Sequence, residues 1–95
     1  MIVGALELSL RLEGCRSLKD KRQVVRSLID RLRHDLKISV AEVGDQSLWN
    51  SCVLGLACAG ENRAVVEKVL RQALQIAERD PLVEVVSGEP ILLDA

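Results

Sequence analysis

Aromatic side chains are nearly missing: 95 residues hold one Trp, no Phe and no Tyr. The core must therefore be aliphatic, built from Leu, Val, Ile and Ala, and no array of rings exists on which nucleobases could stack along a sheet. Histidine is equally scarce, with His34 alone, and no pair of cysteines has metal-ligand spacing, so neither a metal nor a cofactor is expected. The three cysteines, Cys15, Cys52 and Cys58, are an odd number. Cys52 and Cys58, if on one strand, stand about 20 Å apart, beyond disulfide reach. Free thiols suit a reducing cytoplasm. No run approaches the roughly 18 apolar residues a membrane helix needs. Residues 1–12 carry Glu7 and Arg11 and show no basic leader or small-residue cleavage site. Only two prolines occur and no low-complexity stretch, so a single domain, 1–95, located in the cytoplasm, is expected.

What is present is ordinary in amount and uneven in placement. Hydrophobic residues at 48% and charged residues at 28% mark a globular chain, not a disordered one. The net charge is −1, which argues against a general nucleic-acid coat. Yet eight of the thirteen Lys and Arg lie between Arg16 and Lys37, against Asp20, Asp30 and Asp35 only. That segment is about +5 and the remainder about −6 by side-chain count.

The periodicities define the elements. From Ile2 to Leu12 the chain alternates, with Ile2, Leu6, Leu8, Leu10 and Leu12 on one side and Val3, Ala5, Glu7, Ser9 and Arg11 on the other. This is a strand with one buried face. Ser17 and Asp20 form a capping box that starts a helix. Its stripe is Leu18, Val25, Leu28, Ile29, Leu32 and Leu36, opposite Lys19, Arg22, Arg26 and Arg33, with Asp30 placed to pair with Arg26 or Arg33. Ile38–Val43 and Cys52–Ala59 read as strands around a turn at residues 44–47. Asn62 caps a second helix over Arg63–Arg79, and Asp80-Pro81 stops it. A last strand over Val83–Leu93 is interrupted at Gly88 and Pro90, which places it at an edge or a bulge.

The order strand, helix, strand, strand, helix, strand is that of the ferredoxin-like split β-α-β sandwich, an α+β fold. Right-handed crossovers put both helices on one face of a four-stranded antiparallel sheet in the order 4-1-3-2. Three segments, Arg16–Arg22 (RSLKDKR), Ile38–Gly44 (ISVAEVG) and Leu48-Trp49, resemble the YlxP-like family of small bacterial proteins, a domain of unknown function. The resemblance spans nearly the whole chain and implies the same ferredoxin-like fold. It carries no catalytic residue set. It implies a role near RNA or the ribosome only through the frequent placement of such genes beside those for translation-initiation and ribosome-maturation factors.

Two surfaces and one ring are the candidate sites, and a non-enzymatic binding protein is the expectation. On the first helix, Arg16, Lys19, Lys21, Arg22, Arg26 and Arg33 can contact RNA phosphates; the plain alternative is a solvated helix face. Lys19, Lys21 and Arg22 stand in the first turns, where the helix dipole favours acids, a small local cost that suggests use. The open sheet face, through Val3, Ala5, Val53 and Ala57, offers small apolar side chains suited to a homodimer, a protein partner or a small regulatory ligand. Trp49 is either an anchor for such a partner or a cap on one end of the core, and the usual burial of Trp favours the core. An acylphosphatase-like hydrolase is the enzyme alternative, with Arg16 and Asn50 in comparable places. The Gly-rich cradle such an enzyme needs is reduced to Glu13-Gly14-Cys15.

Overall fold

The computed structural model describes residues 1–95. The elements follow the expected order: β1 (Ile2–Leu12), α1 (Leu18–Leu36), β2 (Ser39–Val43), β3 (Ser51–Gly60), α2 (Arg63–Arg79), β4 (Val83–Ser87) and β5 (Ile91–Asp94). The sheet is antiparallel in the order β2-β3-β1-β4, with β5 also paired to β1. The expected single last strand is thus two short ones. β4 meets β1 at Ser9–Leu12 and β5 meets it at Ile2–Ala5. Gly88, Glu89 and Pro90 lie between them, where Pro has no amide for the ladder. The result is a five-stranded sheet that keeps the four-position ferredoxin-like layout.

Both helices lie over the alternate side chains of β1 and β3 assigned to the core. Leu6, Leu8, Leu54, Leu28, Leu32 and Leu70 have essentially no solvent exposure. No aromatic enters this cluster, and each buried Leu contributes about 1.5–3 kcal/mol relative to exposure. Close approach substitutes for bulk on the α2 side: Ala73 and Ala77 are fully buried, and a Cβ added at Gly4 would stand 2.6 Å from Val66 Cγ1 and 2.8 Å from Leu70 Cδ1. Gly4 therefore sets the distance between β1 and α2.

Helix ends are made as the sequence implies. Ser17 Oγ accepts the Asp20 amide at 3.1 Å, and the Asp20 carboxylate accepts the amide of Arg16, one residue earlier than a capping box would place it. Lys37 closes α1 in the left-handed region at φ 53°, its amide reaching Arg33 O. Asn62 Oδ1 accepts the Val65 amide at the start of α2. No helix is long and apolar enough to cross a membrane.

Candidate functional site

The outer surface of α1 forms a shallow groove of about 560 Å³ lined by Lys19, Arg22, Gln23, Arg26, Ser27 and Asp30, without one apolar side chain. Of the nine Lys and Arg other than Arg16, Lys19, Arg22 and Arg26, five have a carboxylate partner: Arg11 with Glu84, Lys21 with Glu42, Arg31 with Asp80, Arg63 with Asp94 and Arg71 with Glu67. Arg16, Lys19, Arg22 and Arg26 have none, and Asp30 pairs with neither Arg26 nor Arg33. Arg33 is exposed and bound to backbone, its Nη2 donating to Val40 O at 2.7 Å. It lies on a second groove, shared with Arg22, Arg26 and Ala41, where the helix meets the edge strand β2.

Lys21 departs from the expected outward set. It is 2% exposed and points into the protein. Its ammonium lies 2.9 Å from Glu42 Oε2 and donates to Leu48 O at 2.5 Å and Gln46 O at 3.3 Å. The spacing holds the signal for this placement. Leu18, Lys21, Val25, Leu28 and Leu32 step by three and four, so Lys21 occupies a stripe position between two apolar residues. A lysine there either snorkels or finds partners; the turn after β2 supplies them.

That turn, residues 44–50, is held by hydrogen bonds at several of its residues. Gly44 takes φ 75°, Asp45 Oδ1 accepts both the amide (3.0 Å) and hydroxyl (2.6 Å) of Ser47, and Gln46 Nε2 donates to Glu42 O. The paired donors hold the Asp45 carboxyl below its ordinary range. Leu48 and Trp49 project from this turn, 46% and 45% exposed, with Leu18 also exposed at 39%. Of the two roles open to Trp49, the core cap is therefore not the one adopted.

The open sheet face carries an apolar trough of about 570 Å³, with Ala5, Ala41, Val43, Gly55, Ala57 and Ile91 along it and Glu7 and Glu89 as its charges. Val3, Ala5, Val53 and Ala57 all stand on this face, outside the core. Ile91 and Leu93, both more than half exposed, extend it through the ladder partners Ala5 and Val3. The periodicity did not single them out because the strand break hides their phase.

The thiols lie inward. Burial, and then the Glu42 carboxylate, push Cys52 up to about 12, with Lys21 opposing. Burial also raises Cys15 and Cys58, with Asp20 adding to the rise at Cys15. At the start of α1, Asp20 already holds the Arg16 amide, and Asn50 O accepts the Leu12 amide. No group of three metal-capable side chains is clustered.

A ferredoxin-like α+β domain with an unpaired basic helix face and an open apolar sheet is the class these features define. The chain belongs to the family described as "Protein of unknown function (DUF503)", whose model matches residues 3–89. It is 28% identical over 83 residues to the uncharacterized protein YlxP of Bacillus subtilis, covering 87% of this chain and 90% of that one. Among solved structures it is similar to a de novo designed protein with a ferredoxin fold, at TM-score 0.59 and 10% identity, covering all of this chain and 88% of the design. It is also similar to a putative chlorite dismutase, at TM-score 0.52 and 16% identity over 99% of this chain and 45% of that one. At these identities the two structures show the fold alone.

Proposed function

We propose that this protein is a non-enzymatic binding protein that associates with structured RNA, such as ribosomal RNA, through the outer face of α1. The observation that supports the reading is that Arg16, Lys19, Arg22 and Arg26 are left without carboxylate partners on one face, while five of the other nine Lys and Arg are paired. Unpaired Lys and Arg on a rigid helix act as point charges and forks for phosphates, and counterion release then drives association. Lys21 is withdrawn from the contact set because it is buried. Arg33 is kept at its margin, with donors to spare beyond the one given to Val40 O. The testing experiment is capture from bacterial lysate with and without ribonuclease. Association that ribonuclease abolishes, and that Lys19→Glu with Arg22→Glu removes, supports the reading; capture indifferent to both overturns it.

A second reading rests on the sheet trough. Small side chains with Ile91 and Leu93 exposed beside them suit a second copy or a protein partner better than a solvated surface. Glu7 and Glu89 within the same face weigh against simple self-association, since two copies would bring like charges together. Helix and sheet lie on opposite sides of the molecule, so the two readings are separable by mutation.

A further inference from the structure

We infer that Arg33 and Gln46 close the β2 edge of the sheet, barring a second copy of this chain from adding its own β2 there as a further strand. Which backbone groups lie open on that edge follows from the ladders. The Leu12 amide donates to Asn50 O, so even-numbered positions of β3 turn their backbone groups to β1 and odd-numbered ones turn theirs to β2. In register, Ser39, Ala41 and Val43 therefore bond with Ala57, Gly55 and Val53. Val40 and Glu42 are left with amide and carbonyl directed away from the sheet. Both of these carbonyls are taken by side chains of the same molecule. Arg33 Nη2 donates to Val40 O at 2.7 Å, and Gln46 Nε2 donates to Glu42 O at 3.1 Å.

The two edges of the sheet differ in how they meet the hazard of strand addition. An open edge offers a row of free backbone groups as a template for another chain. At the far edge, β4 and β5 are only five and four residues long. Gly88, Glu89 and Pro90 part them, and Pro has no amide to offer. The near edge has no such interruption. β2 reads SVAEV, holds register with β3 along its length and contains neither Pro nor Lys. Its one charge, Glu42, is drawn to the helix layer by Lys21. The two side-chain caps stand where the sequence of β2 provides no blunting. One comes from the last turn of α1, across the groove, and the other from the turn that follows β2. An incoming strand must displace both, and the bond from the guanidinium is charge-assisted.

The test compares Arg33→Ala with Gln46→Ala, together and singly, by sedimentation over a range of protein concentration and by amide exchange. Every protein carries Ala57→Glu, which keeps the sheet trough from contributing to association. About 0.5 M salt screens the like charges of Arg22 and Arg26, which line the same edge and would meet their counterparts in a second copy. The parent is expected to stay monomeric, with fast exchange at the outward amides of Val40 and Glu42. The double variant is expected to double in mass as concentration rises, with exchange slowing at those two amides as the edges pair. Arg33 and Gln46 are exposed, so both single variants are expected to fold, and each to associate more weakly than the double. A folded double variant that stays monomeric overturns the inference. If the double variant does not fold, single variants that both stay monomeric overturn it. Association that leaves Val40 and Glu42 exchanging freely places the contact elsewhere and overturns it. A parent that already pairs through these amides overturns it as well, since the caps then bar nothing.

Discussion

Lys21 and Glu42 form an ion pair of 2.9 Å with the lysine side chain 3% and the glutamate 20% exposed, joining α1 to β2. Removing one member leaves the other charge buried, which typically costs about 3–5 kcal/mol, whereas replacing both by apolar groups is often close to neutral. Lys21→Met is therefore expected to lower unfolding free energy by about 3–5 kcal/mol, and the double change Lys21→Met with Glu42→Leu to recover much of it. Urea unfolding of the three proteins checks this. The Leu48 and Gln46 carbonyls lose their donor in both variants, so recovery is expected to be incomplete.

Cys52 carries the clearest pH dependence. Its folded value of about 12 lies above the ordinary 9.0, so between these limits the unfolded chain releases a proton that the folded chain keeps. The associated stability is complete below about pH 9 and is lost as pH rises toward 12, at up to about 1.4 kcal/mol per pH unit. Unfolding from pH 8 to 11 is expected to show a shallower decline in Cys52→Ala than in wild type. An identical decline removes the thiol from the account. In the folded protein at pH 8, Cys52 is also expected to resist thiol reagents until the chain opens.

Gly4→Ala tests the close approach of β1 and α2. The new methyl has Val66 and Leu70 within 3 Å, so overpacking of about 1–3 kcal/mol is expected. A small-side compensation, Val66→Ala, is expected to restore part of that loss, read as the midpoint of thermal unfolding.

The sheet reading makes its own prediction. Ala57→Glu places a third carboxylate on a face that already has Glu7 and Glu89, at an exposed position where folding is expected to change by less than about 0.5 kcal/mol. If the trough holds a second copy, wild type sediments as a dimer at high concentration and Ala57→Glu as a monomer. Identical monomers leave that surface without self-association.

The layout was legible because its cues are local. Alternation in β1, the Ser17 and Asn62 caps and the Asp80-Pro81 stop each act over a few residues. The split of the last strand was legible as an interruption at Gly88 and Pro90 but not as two separate pairings on β1, because register belongs to the partner strand. Lys21 and Trp49 were the residues misjudged or left open, and for one reason. A lysine is assigned to water and a tryptophan to the core by residue type, whereas here three oxygen acceptors sit at the right distance to hold the lysine and thereby carry the turn that presents the ring. Such acceptors come from residues 42, 46 and 48, more than twenty positions away, and no periodicity links them to the helix. On α1 itself, charge clustering is visible in the order of residues, but which cations are free of partners depends on the folded arrangement.

The proposed role of the free cations of α1 is to meet phosphates. Its most direct measurement is the salt dependence of binding to a structured ribosomal RNA fragment, wild type against Lys19→Glu with Arg22→Glu. Contacts from Arg16, Lys19, Arg22 and Arg26 predict a slope of log K on log salt of about −3 to −4, flattened by about 2 in the variant along with weaker binding. An affinity and slope that both stay unchanged by the double reversal contradict the account.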